Sequence, residues 1–279
     1  MTANRPLNDA ETLAVLEWYR AAGVDTPVGE APVDRFAQSQ ALRRRGAASA
    51  AGGVTAAIRE RAASPVPNHE PPAIVANADP SETRALAASA RTLDELRAVM
   101  DAYDGCVLKK RATQLCFADG NGEAGIMLVG EGPGADEDRI GKPFVGRAGQ
   151  LLDKMLAAIG LDRTKVFIAN MVPWRPPGNR EPTPEELALC TPFLHRQIEL
   201  VAPKILVTLG NVPTQALFET RSGITRMRGQ WRTIEVNGHA MEAMPTLHPA
   251  YLLRQPAAKA LAWRDMLAIR ATMLRLGMG

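Results

Sequence analysis

Most of the residues placed to do chemistry in this chain sit in two short stretches. The run Gly130-Glu131-Gly132-Pro133-Gly134 follows an apolar segment over 126–129, and His248-Pro249-Ala250-Tyr251-Leu252-Leu253-Arg254 follows another over 241–247. Glycines let a backbone come close to a ligand, although alone such a run is equally the mark of an ordinary strand-to-helix turn. It lacks the Lys-Ser/Thr ending of a phosphate-binding loop. The acidic Asp136-Glu137-Asp138 behind it would repel a pyrophosphate. Further on, Phe144 stands between glycines in Gly141-Lys142-Pro143-Phe144-Val145-Gly146. It reads either as a core plug or as a platform that something flat can approach. Asn170 closes a third apolar run. It can cap a helix, but its amide also offers an acceptor and donors in one plane, which suits a nucleobase edge. The stiff loop Pro173-Trp174-Arg175-Pro176-Pro177-Gly178-Asn179-Arg180 holds two arginines that either decorate a rigid connection or meet phosphates. Of four histidines, only His248 ends a predicted strand and precedes a proline; His69, His195 and His239 read as incidental.

The elements that must position these residues follow from apolar periodicity. Short apolar runs over 126–129, 166–170, 205–209 and 241–247 alternate with helical patterns over 146–159, 184–201, 212–218 and 259–276. This alternation predicts an α/β fold, a central four-stranded parallel sheet flanked by helices on both faces. Open sheets of this kind bind ligands outside the carboxyl ends of their strands, where the glycine run, Asn170 and His248 all fall. Thr92 and Glu95 form a capping box for a helix to residue 102, and Asn237-Gly238 predicts a hairpin turn. The expected organisation is an N-terminal helix within 1–23, an Ala/Pro-rich flexible linker over 24–81 and one domain over 82–279. The linker carries Arg43-Arg44-Arg45, a solvated charge cluster or a weak phosphate contact.

The 279 residues are 46% hydrophobic and carry a net charge of +3, with a pI near 8.9. That balance permits a polyanionic partner without requiring one. Three scattered cysteines do not make a disulfide framework. Residues Met1 to Thr12 carry no apolar core of a signal peptide, and no apolar run approaches the roughly 20 residues needed to cross a bilayer, so a cytoplasmic protein without membrane contact is expected.

The glycine run with Glu137-Asp138, the segment Gly141 to Gly146, Asn170 with the Arg175 to Arg180 loop, and His248-Pro249 resemble, in that order, the uracil-DNA glycosylase superfamily, most of all its family 4 enzymes. The resemblance spans roughly residues 100 to 275. It implies a monofunctional DNA repair glycosylase that flips uracil out of DNA and hydrolyses its N-glycosidic bond, leaving an abasic site. Phe144 would stack on the base, and Asn170 would read its polar edge. His248 would donate to the uracil O2 as negative charge develops there. Glu131 would orient water or stabilise the sugar cation, beside Gly132, which stands where better-known relatives have aspartate. Glu137 would exclude the methyl of thymine. Leu252 or Leu253 would wedge into the duplex, and Arg254, Arg175 and Arg180 would hold phosphates. The partners implied are uracil-containing DNA and the abasic product, bound by a monomer.

Family 4 enzymes hold a [4Fe–4S] cluster on four cysteines. Aligned through Cys106-Val107-Leu108, the four positions here are Tyr103, Cys106, Trp174 and Cys190. With two thiols remaining, the sequence leads to the expectation of no cluster and no metal, with the two aromatics filling the volume. Two other classes stay open: a protein that binds uracil or abasic sites with little turnover, and a small-molecule nucleotide-binding protein. The basic proline loop and the Leu-Leu-Arg segment weigh against the second.

Overall fold

In the parallel strands, runs of consecutive apolar residues replace the alternation of a half-exposed sheet, because both faces are covered. The computed structural model describes residues 79–278, so the expected N-terminal helix and nearly all of the linker lie outside the described residues. The strands are β1 (Asp119–Gly120), β2 (Ile126–Gly130), β3 (Phe167–Asn170), β4 (Ile205–Leu209), β5 (Arg232–Val236) and β6 (His239–Thr246). They form one sheet in the order β1-β3-β2-β4-β6-β5. Strands β3, β2, β4 and β6 are mutually parallel, as the apolar runs predict. The sheet is wider than the expected four strands, because β1 and β5 add antiparallel edges. The β5–β6 connection turns at Asn237-Gly238, both with positive φ, as the dipeptide predicts.

Nine α-helices lie among the described residues: α1 (Pro80–Ser89), α2 (Leu93–Ala102), α3 (Ala135–Ile140), α4 (Arg147–Ala157), α5 (Pro184–Val201), α6 (Asn211–Leu217), α7 (Ile224–Met227), α8 (Pro249–Arg254) and α9 (Lys259–Arg275). On one face of the sheet Met127, Val129, Phe167, Ala169 and Leu206 pack against Leu194 and Ile198 of α5. On the other face Leu128, Ile168, Val207 and Met244 meet Leu152 and Leu156 of α4 and Met266 and Ile269 of α9. No helix among the described residues is long and apolar enough to cross a membrane.

Register brings the chemistry to one edge. Gly130 pairs with Asn170, and Leu209 pairs with Thr246, two residues before His248. From β2 the chain steps to β3 on one side and later to β4 on the other. This is the reversal of strand order at which a crevice opens. Helix α9 is fastened to the same edge by a buried charge. Asp265, 2% exposed, accepts from Thr246 Oγ1 at 2.7 Å and from Arg228 Nε at 3.1 Å, with Arg228 Nη2 on its second oxygen. Removing one partner of a buried ion pair leaves the other uncompensated. Asp265→Ala is therefore expected to lower unfolding stability by about 3 kcal/mol in urea denaturation; a loss below about 1 kcal/mol would show that the clamp carries no load.

Candidate active site

At the carboxyl edge a cavity of about 580 Å³ opens, lined by Glu131, Gly132, Glu137, Phe144, Asn170 and His248 among others. Two side chains share the space above Gly130. A β-carbon there would lie 2.4 Å from Asn170 Oδ1 and 2.7 Å from the Phe144 ring, so only glycine lets amide and ring converge. Asn170 is 5% exposed, and its Oδ1 is buried with no hydrogen-bond partner among the described residues. A buried acceptor left without a donor costs about 1–3 kcal/mol. Such a group is kept where a ligand supplies the missing donor.

Phe144 is held in the left-handed region at φ 55, a conformation costing a bulky residue about 1–3 kcal/mol. The next two amides, Val145 and Gly146, donate to Glu137 Oε1 at 3.0 and 2.9 Å, and Gly134 donates to Glu137 Oε2 at 3.1 Å. Glu137 therefore ties the glycine turn to the phenylalanine loop. The Phe144 and His248 rings stack with centroids 5.4 Å apart at 30°. A base sandwiched between two rings needs about 7 Å, twice a van der Waals contact. A flat ligand therefore meets the imidazole at its edge.

His248 is the N-cap of α8, and its Nδ1 accepts from the Ala250 amide at 3.1 Å. Burial, with a smaller push from Arg254, lowers its pKa to about 4, only weakly opposed by Glu137. The ring is thus neutral near pH 7. With Nδ1 accepting, its one proton sits on Nε2. The arrangement is an edge donor held in place by a helix cap. Burial first, then repulsion from Glu181, raises the pKa of Glu131 above the ordinary carboxylate value.

Six of the sequence-predicted residues thus converge, and the expected DNA contacts divide. Arg254 and Arg180 reach the cavity rim, while Arg175, Leu252 and Leu253 do not line it. Arg180 is committed to Glu186 through two bonds of 2.7 and 2.6 Å, and Arg175 donates to Asn179 Oδ1 at 2.7 Å. Both shape the proline loop from within. Leu252 is corrected: it is 1% exposed and packs with Leu247 and Ala262, because α8 turns it inward. Leu253 and Tyr251, each 37% exposed, are the apolar side chains that α8 presents to solvent. Tyr251 and Glu181 also line the cavity wall, beyond the residues expected from sequence. Tyr251 stood inside the heptapeptide already singled out, whereas nothing about Glu181 marked it. Lys142 Nζ is 3.0 Å from Asp119, so the one lysine in these loops is held in an ion pair.

Residues 117–267 match the Uracil DNA glycosylase superfamily. The chain is 39% identical over 184 residues to the type-4 uracil-DNA glycosylase of Sulfurisphaera tokodaii, covering 64% of this chain and 84% of that relative. It is 44% identical over 150 residues to the type-4 enzyme of Thermotoga maritima, covering 53% and 77%. Similarity to the type-5 uracil-DNA glycosylase of Pyrobaculum aerophilum is lower, 30% over 148 residues, covering 48% and 64%.

These relatives overturn the expectation of a protein without a cofactor. The type-4 relatives are 37–44% identical to the chain, and theirs is the group whose cofactor is an iron–sulfur cluster, so a cluster-free protein is not the reading the comparisons support. Cys106 and Cys190 are free, buried thiols in one cluster with Tyr103, Trp174 and Phe193. Tyr103 packs against Trp174 with centroids 6.4 Å apart and edge-on to Phe193 at 5.4 Å. A cubane needs four thiolates. The aligned positions supply two thiols toward that set, with Tyr103 and Trp174 at the other two.

The histidine makes a linkage prediction. Its folded pKa is depressed, so the unfolded chain binds the proton more readily, and stability falls as pH drops through the window from 6.5 to about 4. His248→Asn keeps an N-cap but removes this titration. Urea denaturation between pH 7 and 4.5 should show wild type losing stability faster than His248→Asn. Parallel curves would contradict a neutral, desolvated ring.

Proposed function

Because this chain belongs to the uracil DNA glycosylase superfamily, we propose that it binds uracil extruded from DNA and hydrolyses the N-glycosidic bond, leaving an abasic site. The observation that carries the reading is the unpartnered, buried Asn170 Oδ1 beside an aromatic face. It is an acceptor waiting for an N–H, and uracil N3 supplies one. Cytosine presents an acceptor there, and two facing acceptors leave buried polar groups unpaired at about 1–3 kcal/mol each.

In this reading the base lies against Phe144 with its N3 edge on Asn170. As the bond to the sugar lengthens, negative charge collects on the uracil O2, and the Nε2–H of His248 donates to it. The neutral imidazole is suited to this, because the hydrogen bond to the Ala250 amide fixes the tautomer before the base arrives. One preorganised donor to developing charge is worth roughly a hundredfold or more in rate. Glu131, ionised, would hold the water or offset the positive charge of the sugar. Glu137 fits a methyl-excluding wall, since a carboxylate fastened by three amides cannot move aside for thymine. Leu253 or Tyr251 would fill the space the base leaves in the stack, with Arg254 on a phosphate. A binder of uracil or abasic sites with little turnover is not favoured, since the relatives are named as glycosylases and Glu131 supplies a carboxylate beside Gly132.

An end-labelled oligonucleotide with a single uracil, cleaved by alkali after incubation, tests this. Wild type should turn over many equivalents. His248→Asn and Asn170→Ala should each lower the single-turnover rate about a hundredfold while remaining folded; an Asn170→Ala rate equal to wild type would reject the role of the amide. The pH profile gives a separate check. Glu131 must be ionised and its pKa is raised above 4.5, so the rate should fall as pH drops through a midpoint above that value. Glu131→Gln should lower the rate and remove this limb. An unchanged limb in the variant would assign the titration elsewhere.

A further inference from the structure

Arg163 lies outside the cavity, on the 3-10 turn Arg163–Lys165, yet its side chain, 25% exposed, is bound on four sides. Nη1 donates to Asp119 Oδ2 at 2.6 Å and to the Pro143 carbonyl at 3.2 Å. Nε donates to Asp153 Oδ1 at 2.8 Å, and Nη2 donates to the Phe144 carbonyl. The carboxylates come from β1 and α4, two fixed elements. The carbonyls belong to the loop that carries the ring. Asp119 also pairs with Lys142 at 3.0 Å, so the start of that loop is anchored to the same carboxylate. Burial alone would raise the Asp119 pKa, but the bonds from Arg163 and Lys142 outweigh it and hold the carboxyl below its ordinary value. Helix α4 leaves room for this contact at one position. A β-carbon on Gly149 would stand 1.6 Å from the Phe144 oxygen.

We propose that Arg163 is a positioning residue for the glycosylase reaction: it fixes the Pro143 and Phe144 carbonyls and so holds the Phe144 backbone in its left-handed conformation and the ring over the cavity. The role rests on the function proposed above. It uses what distinguishes arginine from lysine, a planar fork that serves two carboxylates and two carbonyls in one orientation. Lysine at 163 keeps the charge and loses the fork.

The test is a double-mutant cycle with a structural readout. Arg163→Lys should lower kcat/KM on the uracil oligonucleotide about tenfold in the wild-type background. In the Phe144→Ala background it should lower it less than about twofold, since a residue acting through the ring has nothing left to position. Proton NMR should show the contact between the Phe144 and His248 rings weakened or lost in Arg163→Lys while the protein stays folded. An equal loss in both backgrounds, or a wild-type rate in Arg163→Lys, would overturn the proposal. Should wild type itself fail to cleave uracil, the functional reading falls, and the ring contact decides the placement alone: its loss in Arg163→Lys supports the hold on the ring, its persistence refutes it. If Arg163→Lys does not fold, Asp153→Asn, which releases one side of the fork, should give the same pattern at smaller size; equal loss with and without Phe144 would again refute the role.

Discussion

Position 130 has no room for a side chain, and the site depends on that. The register of β2 and β3 sets Gly130 beside Asn170, and the phenylalanine loop folds its ring over the same spot. One β-carbon would displace both groups. Backbone geometry, not side-chain attraction, therefore brings a planar hydrophobic face and a planar amide to a common wall. Because β2 is buried at every residue in the middle of the sheet, that wall is as rigid as the core beneath it.

The polar groups on this wall are left in states that favour a ligand over water. Asn170 keeps an unpartnered acceptor, His248 keeps its proton on Nε2, and burial raises the pKa of Glu131 from its ordinary value. The unpartnered acceptor and the shifted carboxyl are unfavourable for the isolated protein and are sustained by packing around them. The strained Phe144 backbone is sustained likewise, by Glu137 on the amides after it and Arg163 on its own carbonyl. Groups oriented before the substrate arrives need no reorganisation as charge develops, and this links the fold to the proposed chemistry.

The parallel strands and the converging residues were legible because the signals are local. An apolar run ending in Gly130, another ending in Asn170 and a strand ending at His248-Pro249 can each be read within a few residues. The edges were less legible. Strand β1 has two residues and no pattern of its own, and α3 is an acidic hexapeptide that reads as loop. Leu252 and Leu253 look alike in sequence, and only the short helix α8 decides which one faces the core. Arg163 carried no signal at all, since its partners at 119, 143, 144 and 153 meet only in three dimensions. The cofactor reading failed for a different reason. It weighed four positions in one chain, whereas the relatives carry information from the whole domain.

The central claim is that the Asn170 amide and the Phe144 ring form one receptor for a flipped uracil. Its most direct test is a crystal structure of the protein bound to an oligonucleotide carrying a non-hydrolysable deoxyuridine analogue. The account predicts the base out of the stack, its N3 within hydrogen-bond distance of Asn170 Oδ1, its face on Phe144 and its O2 toward the edge of His248. A base bound elsewhere, or one that turns its N3 edge away from Asn170, would contradict it.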